Sequence, residues 1–556
     1  MSSKNYLFLC GNVRRHEPSG YDVHHFELGK DKRMIHMDIE AISRKMVQKI
    51  PDVMKDLLEI ATYVYCADQK IPRGGPAEFE YGQKWNRELT LEIPVREYER
   101  WSQSSITERL EETLSFVSGD TYHFVFKQQG IMGEPDFMTY GEKEDESFKP
   151  DEIALFSGGL DSFTGAIDAI IGNNRKTVLV SHVSNGKIQS LQKALHEYIS
   201  KKTLSGAKPL HVQVKINKDK RLTNETSQRS RSFLFASLGT VIAHMFGLDR
   251  VNFYENGIVS CNLPFDTQTH QARRTRSTHP RFLCNFSSLI SELLERDFHL
   301  GNPYFGMTKT DVVERLKALH HEPHIKLTRS CAGSIFEYPC NHCGTCSQCI
   351  DRRFATLAAK CENYDSESIY KVGLFTGSRE RVQDRAMAAG FAGLATNIES
   401  MTPDNFVRQF TTDLTELAKF MGKNREEAML DIFNLYQRHA RQVNTVIDEE
   451  IERRSASIRK GLVPEHSLLS MILQNSHLNP ALLFEDEQAK PKIKKKPGRP
   501  KDPNTAKRDQ RMLDAWETRR YRTFGELARE FGLPSADAAR KAVDRAKAKR
   551  DRKIEI

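Results

Sequence analysis

What the chain does without narrows it first. Across its 556 residues no apolar run approaches the roughly 18 that a membrane helix needs. The opening MSSKNYLFLCGNVRRHEPSG lacks the apolar core of a secretion signal. Both absences set the expectation of a cytoplasmic protein with no membrane partner. The Gly-Lys-Ser/Thr ending of a Walker loop is missing too, and no GxGxxG follows a strand-like stretch as a dinucleotide fold would place it. Acidic excess is also lacking: the net charge is +9, with 38% hydrophobic and 28% charged residues, the balance of a soluble chain. That charge is uneven. Residues 490–553 hold 22 Lys and Arg against 9 Asp and Glu, a local +13 that leaves −4 on the rest. A chain of this length exceeds one ordinary core, so several domains are expected.

What is present centres on IALFSGGLDSFTGAIDAI, from Ile153 to Ile170. A short strand runs into Ser157, Gly158, Gly159, Leu160, Asp161 and Ser162, and a helical pattern follows at once. Paired glycines let backbone approach a ligand, while hydroxyls and free N–H groups at a helix start bind anions. The spacing predicts a phosphate loop; the alternative is an ordinary βα turn. From Glu152 strands and helices alternate, with strands at 177–182 and 210–215 and a helix at 191–200, which predicts a parallel sheet with ligands at its carboxyl ends. His182 to Asn185 closes one such end and is expected to form a lip of the nucleotide site.

Further along, Glu255-Asn256-Gly257 follows the strand-like Val251 to Tyr254, placing an acid and an amide where they can read a substrate edge; a plain Asn-Gly turn is the alternative. Arg273 to Pro280 packs cations and hydroxyls together, among them Arg276, Thr278 and His279, suited to phosphates or a carboxylate unless it is only a solvated basic loop. Thr308 or Thr310 is expected to cap the helix of Val312 to Leu319, with Lys309 reaching toward a phosphate or merely adding surface charge. Cys331, Cys340, Cys343, Cys346 and Cys349 offer five thiols for a four-thiolate site. Zinc is the expected metal, an iron–sulfur cluster the alternative.

Upstream, 1–150 mixes strands (6–9, 25–28, 88–94, 121–126) with a helix over 46–65 and is expected to be a small α+β domain. Asp68, Arg73 and Gly74-Gly75 read as a structural turn ahead of a functional loop. Downstream, two apolar stripes, Phe406 to Phe420 and Met429 to Val443, predict a helical extension packed on the α/β domain or on a second copy of the chain.

Together, the Ser157–Ser162 loop, the Thr308-Lys309-Thr310-Asp311 element, Ser330-Cys331 and Cys343-Gly344-Thr345-Cys346-Ser347-Gln348-Cys349 followed by Arg352 and Arg353 resemble the 7-cyano-7-deazaguanine synthases, the QueC family of N-type ATP pyrophosphatases. The likeness covers about 152–360. It implies a Rossmann-like, adenine nucleotide alpha hydrolase-like core in which Ser157, Gly158, Gly159, Leu160, Asp161 and Ser162 hold ATP with Mg²⁺. Asp161, Lys309 and Arg231 would then be catalytic. The substrate-binding candidates Glu255, Asn256, Arg276, Thr278 and His279 belong to a set that the simple synthases do not carry and that looks like the larger members of the group. Zn²⁺ would be held by Cys331, Cys343, Cys346 and Cys349, leaving Cys340 as an addition. The reaction implied is adenylation of a deazaguanine carboxylate, capture by ammonia and a second activation to the nitrile. The extra length and the leading domain resemble the larger QatC-like group of anti-phage systems, whose likeness implies a different final acceptor, such as an amine on a partner protein. Modification of an RNA base on the same fold, or a non-catalytic ATP-sensing DNA binder, are the other functions considered.

The end of the chain is basic. KPKIKKKPGRPKDPNTAKRDQR predicts a disordered linker, with Lys496 to Lys501 resembling an AT-hook, and Thr523 to Leu533 with the following helix suits a helix-turn-helix that binds nucleic acid. The expected segments are 1–150, 151–365, 366–485, 486–510 and 511–556.

Overall fold

The computed structural model describes residues 5–14, 18–28, 35–37, 50–73, 86–129, 148–203, 208–219, 222–225, 227–264, 276–333, 341–474 and 503–554. The AT-hook-like Lys496–Lys501, Cys340, Gly74-Gly75 and Arg273 to Thr275 lie outside them. By its internal contacts the chain divides into a unit of residues 1–487 and a second of 488–556.

The large unit is α/β. Its first sheet holds β1 (Asn5–Cys10), β2 (Tyr21–Phe26), β4 (Glu88–Val95) and β5 (Thr121–Gln128) in the order β2-β1-β4-β5, and every pairing is parallel. This corrects the α+β expectation for the N-terminal part. The reason it escaped is physical: β5 alternates exposed and buried residues as a one-faced antiparallel strand does. Only residues 11–20 join β1 to β2, short for a parallel crossover. The expected helix over 46–65 begins later, at Asp52, and runs to Lys70 with almost its whole length buried.

The second sheet has the order β10-β9-β6-β7-β8-β3. Here β6 (Glu152–Leu155), β7 (Thr177–Val183), β8 (Leu210–Asn217), β9 (Arg250–Asn252) and β10 (His299–Gly301) are parallel, and β3 (His36–Met37) adds an antiparallel edge from the N-terminal part. From β6 the chain builds outward one way through β7 and β8, then returns to build the other way through β9 and β10. The carboxyl end of β6 is therefore a topological switch point, where parallel sheets open a crevice for ligands. The two sheets share one hydrophobic core, joined by helix Asp52–Lys70 against helix Arg231–Met245 and helix Ser104–Ser118 against helix Pro280–Leu294. Each large side chain buried there, such as Phe233 or Phe286, stabilises the fold by about 1.5–3 kcal/mol.

Helices Val382–Glu399, Pro403–Gln409, Thr411–Lys419 and Arg425–Arg453 bury both predicted stripes, Phe406, Phe410, Leu414 and Leu417 on one side and Met429 to Val443 on the other. Cys261, Leu263 and Ile350 of the α/β part belong to the same core, so the extension packs on that part of the chain. Among the described residues no helix is long and apolar enough to cross a membrane.

Among its described residues the small unit has three helices, Pro503–Glu517, Phe524–Glu530 and Ala536–Ile554, around Met512, Leu513, Leu527, Ala542 and Val543. The first begins inside the stretch expected to be a linker, because Pro503 suits a helix start and Met512, Leu513 and Trp516 give that helix an apolar face. Trp516 stacks on Phe524 at 3.8 Å. The turn before the last helix contains Gly532 at φ +64°, a left-handed conformation that glycine adopts readily. Among the basic residues on the last helix whose side chains are described, Arg540 lies over Phe524, Lys541 pairs with Asp537 at 2.8 Å and Arg545 with Asp509 at 2.7 Å, and all three, like Lys547, are exposed.

Candidate functional site

The loop Ser157 to Ser162 leaves β6 at the switch point. Gly158 takes φ +84°, a conformation that side chains rarely adopt, and a Cβ there would push the end of Leu191 aside, so the position favours glycine. Its carbonyl accepts from Arg329 N at 3.0 Å. Ser157 Oγ accepts from Gly159 N at 3.2 Å and lies 3.0 Å from Ser162 Oγ, which closes the loop on itself ahead of helix Leu160–Ile167.

Asp161 is the hub. Its Oδ2 accepts from Lys309 Nζ at 2.9 Å and from Asn256 Nδ2 at 3.0 Å, while the buried Oδ1 has no partner among the described residues. Lys309 arrives from a different part of the sheet. Thr308 caps helix Lys309–Ala318 by accepting from Asp311 N at 3.1 Å, and Asp311 Oδ2 accepts from Thr308 N at 2.9 Å, a reciprocal capping box. Of the two candidate caps, Thr308 is the one used.

The helical extension braces this element, a role the sequence did not suggest. Arg438 Nε donates to Asp311 Oδ2 and Gln442 Nε2 to Asp311 Oδ1, each at 2.9 Å, and Thr308 Oγ1 donates to Gln442 Oε1 at 2.7 Å.

Glu255 and Asn256 stand together just past β9. Asn256 caps helix Gly257–Cys261, and Glu255 Oε2 accepts from Thr278 Oγ1 at 3.4 Å. Burial, reinforced by the charge of Asp161, raises the Glu255 carboxyl from 4.5 to about 7. A third carboxyl, Asp351, was missed in the sequence. It follows Cys349 on helix Ser347–Ala358, is 3% exposed, and its Oδ2 has no partner among the described residues. Burial raises it to about 7 although Lys309 pulls it down. Burial opposes the charge on Lys309 in turn, but Asp161, Asp351 and Glu255 more than restore it, so its ammonium titrates above the usual range.

The other predicted site residues are placed elsewhere. Arg231 lies with its guanidinium 5.2 Å from the Phe235 ring. Arg276 donates to Phe116 O at 2.8 Å and covers that ring. His279 caps helix Pro280–Leu294 by accepting from Arg281 N at 3.1 Å, and among the described members of that cluster Thr278 hydrogen-bonds to Glu255. His182 forms no lip: it is fully buried between aromatic rings. Asp68, Arg73, Arg87 and Asp120 form a buried ionic quartet, so the Asp68 to Arg73 stretch is structural. A cleft of about 1230 Å³ between helix Pro280–Leu294 and helix Arg425–Arg453 reaches Asn302, whose amide donates to Glu255 O at 2.8 Å.

The cysteine site is a four-thiol cage. The sulfurs of Cys331, Cys343, Cys346 and Cys349 all lie within 4.8 Å of one another. A tetrahedral zinc with Zn–S bonds of about 2.3 Å sets sulfurs about 3.8 Å apart, and Cys343 Sγ and Cys349 Sγ are 3.8 Å apart. Backbone N–H groups of Gly333 and Cys346 point at Cys331 Sγ and Cys343 Sγ, 3.3 and 3.4 Å away, as they do toward thiolates. Gly344 makes the knuckle possible at φ +77°, where a Cβ would fall 1.9 Å from Val372 O. These sulfurs would hold a structural metal. Arg352, fully buried, donates to Asp365 Oδ1 at 2.9 Å and Thr328 Oγ1 at 2.7 Å, clamping the knuckle helix to the strand of chain that leads into Cys331.

The fold and site define an α/β protein with a parallel sheet, a loop and carboxylate cluster at its switch point, and a cysteine cage suited to a metal. No family model matches the chain, and no curated protein matches it.

Proposed function

We propose that the chain is an ATP-dependent ligase of the 7-cyano-7-deazaguanine synthase type, which adenylates a deazaguanine carboxylate and passes the activated carbon to ammonia or to an amine on a partner protein, in anti-phage defence. The observation that carries this reading is the Ser157–Ser162 loop at the switch point with Asp161 pinned by Lys309 and Asn256 and one buried oxygen left free. Loop N–H groups, the hydroxyls of Ser157 and Ser162 and the start of helix Leu160–Ile167 would hold the phosphates. Lys309 would offset charge building up on them as the carboxylate attacks the α-phosphorus and pyrophosphate leaves. Asp161 and Asp351 would hold Mg²⁺, which when bound screens phosphate charge. Glu255, titrating near neutrality, is suited to take the proton from an attacking amine.

The test is pyrophosphate release from ATP with and without 7-carboxy-7-deazaguanine, with products identified by mass spectrometry. Carboxylate-stimulated release supports the reading; release that ignores the carboxylate, or none, overturns it. Finding only free nitrile when lysate is supplied removes the protein-acceptor part alone. For residues 490–556 the reading is nucleic-acid binding through phosphate contacts, carried by the local +13 charge of 490–553. DNA retention by the full chain that does not weaken with salt would count against it.

A further inference from the structure

The acidic residues lie on the β9 and β10 side of the phosphate loop. On the other side, at the ends of β7 and β8, the charge balance reverses. His182 is 0% exposed and neither ring nitrogen has a partner among the described residues. It lies between two rings, edge-on to Tyr65 at 5.4 Å and to Phe235 at 5.7 Å. Each ring carries a cation: Lys218 Nζ is 4.9 Å from the Tyr65 centroid, and the Arg231 guanidinium is 5.2 Å from that of Phe235. The Lys218 ammonium is buried and also without a hydrogen-bond partner among the described residues. The carboxylate whose charge it feels is Asp68, already committed to Arg73, Arg87 and Ser230. Two cations and a buried imidazole thus converge with no carboxylate hydrogen-bonded to Lys218 or His182 among the described residues, an arrangement that costs stability unless something supplies the charge.

We propose that His182, Lys218 and Arg231 form an oxyanion-binding site, separate from the phosphate loop, for the carboxylate or phosphoryl group of a small-molecule ligand. The aromatic rings fix both cations by cation–π contact, so the site is preorganised. Burial and the neighbouring cations keep His182 neutral, held down to about 3, leaving one N–H to donate. Burial lowers the Lys218 ammonium to about 8, the direction expected of a cation awaiting a counter-charge. Tyr65 comes from helix Asp52–Lys70, which gives the N-terminal part a place in ligand recognition that a phosphate loop alone does not require. The site stands whether or not the ATP chemistry proposed above is correct.

The experiment follows thermal unfolding of the full chain at constant ionic strength, titrated with inorganic pyrophosphate in one arm and benzoate in the other, with sodium chloride as the control. The expected result is a rise in Tm with at least one of the two anions, the arm that responds telling phosphoryl from carboxylate. Lys218→Met and Arg231→Met should each weaken that response at least tenfold, while Asp161→Asn keeps it. Ligand-free Lys218→Met should melt at or above the wild type, since it removes an unanswered buried charge. If Lys218→Met does not fold, Arg231→Gln at the partly exposed helix start carries the same test. A wild type blind to both anions overturns the proposal. So does a response lost in Ser157→Ala but untouched by the Lys218 and Arg231 variants, which would make the loop the anion site.

Discussion

Two buried ionic groups of the large unit differ in how fully their charges are answered. Around Asp68 and Asp120, two carboxylates meet two guanidiniums, with Arg73 Nη2 2.7 and 2.6 Å from them and Arg87 Nη2 2.5 and 2.6 Å. Burial works against Asp68, but Arg73 and Arg87 overcome it and hold that carboxyl at about 2. Around Asp161 three carboxyls, with Glu255 and Asp351, share one ammonium, Lys309, and two buried oxygens have no partner among the described residues. The first group is saturated and so ties the N-terminal sheet to Ser230 at the head of helix Arg231–Met245. The second is short of positive charge, which is the condition for recruiting a cation. Charge balance, more than burial or spacing, separates a brace from a site here.

Breaking the saturated group should therefore cost stability, and breaking the deficient one should cost activity. Asp68→Ala leaves two arginines, whose side chains are 1% and 3% exposed, to share the single carboxylate of Asp120. The expected loss is about 3–5 kcal/mol in urea denaturation; a loss within 1 kcal/mol of zero would show that the quartet is not a brace. Asp161→Asn leaves Lys309 beside Glu255 and Asp351, either of which can ionise to answer it, so the expected loss is about 1 kcal/mol. Pyrophosphate release should fall on the order of 100-fold or more. Should this variant unfold as readily as Asp68→Ala, the contrast between the groups fails. Removing the metal is expected to act through structure: Cys346→Ser should lower bound zinc, measured by elemental analysis, together with Tm. Thr308→Ala, which opens the capping box over Lys309, is expected to cost about 1 kcal/mol.

The parts of this contrast that the sequence disclosed are local ones. The Ser157–Ser162 loop, the Thr308 cap and the cysteine cluster each lie in one short stretch or in closely spaced ones, so they show in the residue order, although choosing four of the five thiols took the family resemblance. What escaped is built from distance. Asp351 hides in a stretch whose cysteines already explain its spacing, and it becomes a site residue only when the knuckle helix swings it toward Lys309. Gln442 and Arg438 brace Asp311 from 131 and 127 residues away. The basic stretch at 273–280 offered no means of telling Thr278, which reaches Glu255, from Arg276, which turns to Phe116. Strand direction in the first sheet escaped for a related reason: residue alternation records which face is buried and not which way a neighbour runs.

The pH dependence of stability most sharpens the comparison, because it reads charge deficit directly. Burial and the Asp161 charge raise Glu255 to about 7, against 4.5 in the unfolded chain. Between those values the folded protein keeps a proton that the unfolded chain has released, so this group's contribution to stability falls as pH rises through the window. Asp68 behaves in the opposite sense, its contribution being lost only as pH falls from about 3.8 toward 2. Glu255→Gln removes the titration while keeping the shape and the hydrogen bond from Thr278. Melted without divalent cations, wild type and variant should agree near pH 4.5, and the variant should be the more stable by pH 8, the gap opening between the two. A gap that is the same at every pH, or one that favours the wild type at pH 8, would mean that Glu255 is already answered by a positive charge and that the site around Asp161 is as saturated as the quartet.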